Sequence, residues 1–335
     1  MSKLMRRKLL QEKEFREEAN RFLQSTISEP SDIVLQIDTP LEAAQAKMYD
    51  AFGARSKKDK VRLAKEALGL SEDCADAYVV LAEVTDEALT DSIELYQKGV
   101  EAGKRALGEE FFQNNIGEFW SILESRPYMR ALFGLALDLW TKNREERAIE
   151  MMYELLRLDK MDHQGVRHVL GPVLIAAGRY QEARSFLQPM KDERLSVVKF
   201  SWALVLYLIE GDSPAANEAL DKALEFNLHV ADMMLIAEEI VESDIEVEAF
   251  CPGSVDEAVY YVSNWLGAWL VDSVNPNPYC WLVQRARLHF DKQEPQKEPS
   301  DPVLYEEWYG YPDARRSNAE FVEYKFWAKP NQRSQ

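Results

Sequence analysis

Catalytic chemistry in a chain this acidic would start at its imidazoles and thiols. There are four histidines, His163, His168, His229 and His289, and three cysteines, Cys74, Cys251 and Cys280. An imidazole acts as base or metal ligand only where a partner constellation stands beside it. His163 and His168 are five residues apart, off the i, i+4 spacing that puts two ligands on one helix face. His229 falls at an expected helix end, where backbone carbonyls welcome a cation. The cysteine spacing fits neither a zinc site nor a disulfide framework, so reduced thiols are expected. With 58 Asp and Glu, paired carboxylates are too common for one pair to stand out as acid and base. The sequence contains no phosphate loop, nucleophile elbow, HExxH or CxxC. The expectation is a protein that is not an enzyme, with no cofactor, no metal site and four structural histidines.

The elements that would position any functional residue are repeated helix pairs. Three segments from Met129 to Val230 share one layout, with Ala148, Ala183 and Ala216 at the same point, 35 and 33 residues apart. Each opens with apolar residues at spacings of three and four: Leu132, Leu135, Ala136 and Leu139; Leu170 and Leu174; Phe200, Ala203, Leu204 and Tyr207. That spacing gathers them on one helix face. A turn follows at Lys142-Asn143-Arg144, at Gly178-Arg179 and at Gly211-Asp212-Ser213-Pro214. Glycine there tolerates positive φ and ends the first helix. Ser213-Pro214 reads as N-cap and first helical residue of the second. The small alanines let the two helices approach. Such a unit cannot bury its apolar face alone, so neighbours must stack.

A two-helix repeat of about 34 residues resembles the tetratricopeptide repeat. Three stretches are similar to the suppressor-of-tumorigenicity-seven family and its bacterial relatives: RPYMRALFGLALDLW from Arg126, GDSPAANEALDKALEFNLHV from Gly211 and GSVDEAVYYVSNW from Gly253. Pro172 inside a first helix also fits the bacterial relatives. Animal members carry membrane spans, which this chain lacks. The resemblance implies an all-α fold, an α-α superhelix whose first helices line a concave groove at the second, fifth, ninth and twelfth positions of each unit. Mapped here, the groove receives Arg130, Phe133, Leu137 and Trp140 from the third unit. The fourth offers Gly165, His168, Pro172 and Ile175. The fifth offers Val198, Ser201, Val205 and Leu208, with Trp202 beside them. The Lys/Asn carboxylate clamp of chaperone-binding members is missing, since Gln45 and Tyr49 stand in its place. An acidic tail is therefore disfavoured as ligand, and an apolar helix or extended segment is favoured. Completion of packing between units is the alternative role for the same side chains.

Along the chain, residues 1–40 read as an amphipathic N-terminal helix and a linker. The array runs over 41–290, with units near 41–74, 75–108, 129–162, 164–196 and 197–230 and a degenerate one at 231–270. An inserted helix is expected from Glu109 to Arg126, stopped by Pro127. Ser254, with Glu257 three residues on, reads as a capping box, and Tyr279 to Phe290 as a last capping helix. Residues 291–335 form an aromatic tail expected to dock on the array or on a second copy, which leaves homo-oligomerisation through the tail as the alternative function. The net charge of −18 disfavours nucleic-acid binding. It favours solubility and basic partners. The acidic run between Ala231 and Ala258 reads as a solvated face or as a docking patch for a basic partner. No apolar run reaches 18 residues, so no membrane span is expected. The N-terminus lacks the apolar core of a secretory signal, and a cytoplasmic location is expected. The sequence reading is thus a scaffold for a protein or peptide partner.

Overall fold

The computed structural model describes residues 38–84, 91–237, 250–271 and 276–293. The described residues form helices and turns, with one isolated pair of backbone bridges at Gly117 and Asp159. The chain divides into two compact units between Leu170 and Gly171. The expected N-terminal helix, the first linker up to residue 37, residues 238–249 of the acidic run and the C-terminal tail from 294 lie outside the described residues.

In the unit ending at Leu170, α1 (Pro40–Gly53) pairs with α2 (Lys57–Leu70), and α3 (Ala75–Val84) with α4 (Ser92–Leu107). Short α5 (Glu109–Asn114) follows, and then α6 (Arg126–Thr141) pairs with α7 (Glu145–Leu158). Their starts are written in the sequence. Thr39 and Glu42 close a capping box, and Ser56 and Asp91 accept from the first-turn amides of α2 and α4. Ala44, Met48, Ala51, Ala64 and Ala67 are wholly buried, which brings α1 and α2 close. The α6–α7 turn is a Schellman closure. Asn143 takes φ 63° and the Arg144 amide donates to the Leu139 carbonyl at 2.8 Å.

Helix α8 (Val166–Ala176) contains the point of division. Its turn repeats the closure, with Gly178 at φ 74° and the Arg179 amide donating to the Leu174 carbonyl at 2.9 Å. Then come α9 (Tyr180–Leu187), α10 (Ser196–Glu210) and α11 (Pro214–Phe226), followed by α12 (His229–Leu235), α13 (Val255–Trp265) and α14 (Pro278–Gln293). Ser213 caps α11 and Pro214 opens it, as the Ser-Pro pair predicts. Ala148, Ala183 and Ala216, the marker of the repeat, are all fully buried. The fold is all-α, and its helix pairs are tetratricopeptide-like in length and order.

The inserted helix departs from expectation. Helix stops at Asn114, the chain turns through Gly117 at φ 97°, and two 3-10 turns span Phe119–Ser121 and Leu123–Ser125. Pro127 opens α6 instead of closing the insert. A proline without N–H costs nothing in a first turn, where the amide has no intrahelical acceptor. The expected apolar side of the insert divides accordingly. Phe119 is buried under Phe111, Phe112 and Tyr128, while Ile116 and Leu123 are exposed. A second departure is Glu257. Ser254 caps α13 as expected, but the Glu257 carboxylate bonds the Gly253 amide and Ser196. Met190 leaves α9 for a 3-10 turn at Gln188–Met190, where Pro189 ends the α-helical ladder.

Candidate partner-binding face

The first helices of the unit ending at Leu170 make a layer. α1 packs on α3 and α3 on α6, whereas α2, α4 and α7 make no comparable contacts with one another among the described residues. One row of the layer is pinned electrostatically. Asp76, in the first turn of α3, is fully buried. Arg130 of α6 grips it with two bonds, Nε to Oδ1 at 2.8 Å and a terminal nitrogen to Oδ2 at 2.5 Å. Gln45 of α1 donates to the same Oδ2 at 2.6 Å. This bidentate pairing fits the planar guanidinium. The Arg130 guanidinium also lies 5.5 Å from the Phe52 ring centroid. Arg130 is thus a tie between three helices.

Beside that row the layer is apolar and open. Tyr49 and Phe52 are exposed at 40% and 41%, with ring centroids 6.5 Å apart. Phe133 and Leu137 are half-buried. Trp140 is buried, and its indole N–H has no hydrogen bond among the described residues. Gly134, on the opposite side of α6, leaves no room for a Cβ against the Tyr96 ring, which is how α4 approaches so closely. His168 is half-buried on α8, after Asp162 caps that helix by accepting from the Val166 and Arg167 amides at 2.7 and 3.0 Å.

In the unit from Gly171 onward, Ile175, Ser201 and Val205 are buried. Ser201 hydrogen-bonds the Tyr261 hydroxyl, which also accepts from Trp269 Nε1 at 2.9 Å. Trp202 alone of that group is half-buried. Of the nine candidate residues, then, Arg130, Phe133, Leu137, His168 and Trp202 keep surface to offer. Trp140, Ile175, Ser201 and Val205 are packed inside.

Two arrangements were not legible as sites. One is the Gln45–Asp76–Arg130 row, because nothing in the chain marks which acid Arg130 would meet. The other is the docking of α14. Trp281 stacks on Tyr207 with centroids 4.2 Å apart, and its Nε1 donates to Asn217 at 3.0 Å. Arg285 bonds both Asp221 oxygens at 2.7 and 2.6 Å, and His289 Nε2 stands 3.1 Å from the same carboxylate. His163 and His229 likewise sit beside single carboxylates, Asp159 at 3.0 Å and Asp232 at 3.8 Å. No group of three or more His, Cys, Asp or Glu is placed to hold a metal among the described residues. Burial pushes the Cys74 thiol up to about 12, far from the reactive thiolate range. No helix among the described residues is long and apolar enough to cross a membrane.

No protein-family model matches the chain. Among solved structures it is similar to YrrB, a TPR protein with an unusual peptide-binding site. The identity is 18% and the TM-score 0.37, over 56% of this chain and 84% of that one.

Proposed function

We propose that this chain is a non-enzymatic interaction scaffold that holds an apolar peptide or helix of a partner protein. The observation that carries the reading is the layer of α1, α3 and α6, which leaves Tyr49 and Phe52 exposed and Phe133 and Leu137 half-covered. Rings held on a pinned row of helices present contact area with little ordering still to be lost. Covering each is worth on the order of 1.5–3 kcal/mol. The narrower kinship, to the suppressor-of-tumorigenicity-seven family, rests on the three sequence stretches and Pro172.

Peptides selected from a displayed random library on the full chain test the reading. A selected apolar peptide should lose most of its affinity for the Tyr49→Ala/Phe133→Ala variant while the helical circular dichroism stays unchanged. Equal affinity for parent and variant overturns the proposal.

A further inference from the structure

The face formed by α1, α3 and α6 carries two carboxylates of α3, Asp76 and Glu83. Asp76 is neutralised by Arg130. Glu83 stands seven residues further along α3, two turns on and on the same side. Among the described residues its carboxylate has no hydrogen bond and no ion pair. The side chain opens to solvent, yet the surrounding protein displaces enough water to hold its carboxyl above the usual range. Lys60 and Arg130 oppose that rise from a distance, and Asp76 adds to it. On the α4 and α6 side, Glu83 and Asp138 together push the Tyr96 hydroxyl up, after burial has done most of it. Lys142 stands 3.5 Å from Asp138 and donates to Ser92 at 2.6 Å.

An apolar segment laid over this face would strip the remaining water from Glu83. A carboxylate buried without a counter-charge costs several kcal/mol. A partner must therefore bring its own cation, or bind weakly. The chain's net charge of −18 already draws cationic segments toward it.

We propose that the face takes a peptide segment presenting one Lys or Arg among apolar side chains, with the cation meeting Glu83 and its apolar neighbours covering Tyr49, Phe52, Phe133 and Leu137. This rests on the reading of the face as a docking surface and names the chemistry of its occupant.

The test uses a display-selected peptide on the full chain, remade with norleucine in place of its Lys. Fluorescence anisotropy should show the norleucine peptide binding the parent protein about tenfold more weakly, the scale of a desolvated charge pair. The Glu83→Gln variant should bind the lysine form about tenfold more weakly than the parent and lose the preference between the two. Enrichment of peptides without a basic residue overturns the inference. So does a Kd that Glu83→Gln leaves unchanged. If binding answers to Tyr49→Ala/Phe133→Ala but not to Glu83→Gln, this inference falls and the docking face stands. If no peptide is selected, both fall.

Discussion

Asp76 and Glu257 are carboxylates placed where water does not reach, at 0% and 2% exposure, and each is satisfied differently. Asp76 meets a guanidinium and an amide. Glu257 meets four neutral donors: the Ser196 amide at 2.7 Å and hydroxyl at 2.8 Å, the Gly253 amide at 2.7 Å and the Asn227 side chain at 3.2 Å. It thereby caps the start of α10 from another helix, since the Ser196 amide opens that helix. For Asp76 the charge pair decides the energetics. Removing one member of a buried pair leaves the other uncompensated and costs about 3–5 kcal/mol, more than the pair itself contributes. Arg130→Ala should therefore lower the stability measured by urea unfolding by about that amount. Arg130→Ala/Asp76→Ala should recover a large part of it. If the double variant is no more stable than the single one, the pair is not what matters at this position. Arg130 could be placed on the first-helix face from repeat position alone. Its partner could not, since 54 residues separate the two and acids are plentiful.

At the scale of elements, the parts set by local physics were legible and the parts set by a neighbour were not. Ser213-Pro214 opens α11 and Ser254 caps α13, because a cap needs only the next three residues. The insert misled because its apolar spacing suits a helix, while Gly117 and its backbone hydrogen bonds with Leu158 and Lys160 set an irregular path that periodicity does not report. The docking of α14 is a neighbour's work too, and it titrates. Hydrogen bonds from Arg285, and then from His289, hold the Asp221 carboxyl below its ordinary 3.8. A carboxyl lowered on folding contributes stability that is fully present above the unfolded value and is lost as pH falls through the folded one. The tie between α11 and α14 should thus hold at neutral pH and weaken below about 3.9, the ordinary aspartate range. Near-UV circular dichroism of the Trp281–Tyr207 stack should report that step in the parent protein. Asp221→Asn should show a weaker stack at neutral pH and no step. A step of equal size in the variant would place the acid sensitivity elsewhere.

For the whole molecule the governing quantity is charge. There are 58 acidic against 40 basic side chains, and like charges in such excess repel one another in a folded chain. Opposing this are surface pairs such as Lys47–Glu66 at 3.0 Å, Arg62–Glu66 at 2.8 Å and Lys98–Glu94 at 2.7 Å. Exposed pairs of that kind contribute roughly 0–1 kcal/mol each. Salt acts unequally on the two. The Debye length shrinks from about 30 Å at 0.01 M to about 8 Å at 0.15 M. That distance cuts off repulsion between charges spread over the surface, while contact pairs near 3 Å are screened far less. The repulsion therefore loses more than the attraction does. Raising sodium chloride from about 0.01 to about 0.15 M should raise the Tm. Each kcal/mol gained is worth about 2–4 °C in domains of 150–250 residues. Potassium chloride should reproduce the shift, because screening depends on ionic strength and not on the identity of the cation. A Tm that falls with either salt would mean that the surface pairs outweigh the net charge. A rise with only one of the two would point to a bound ion.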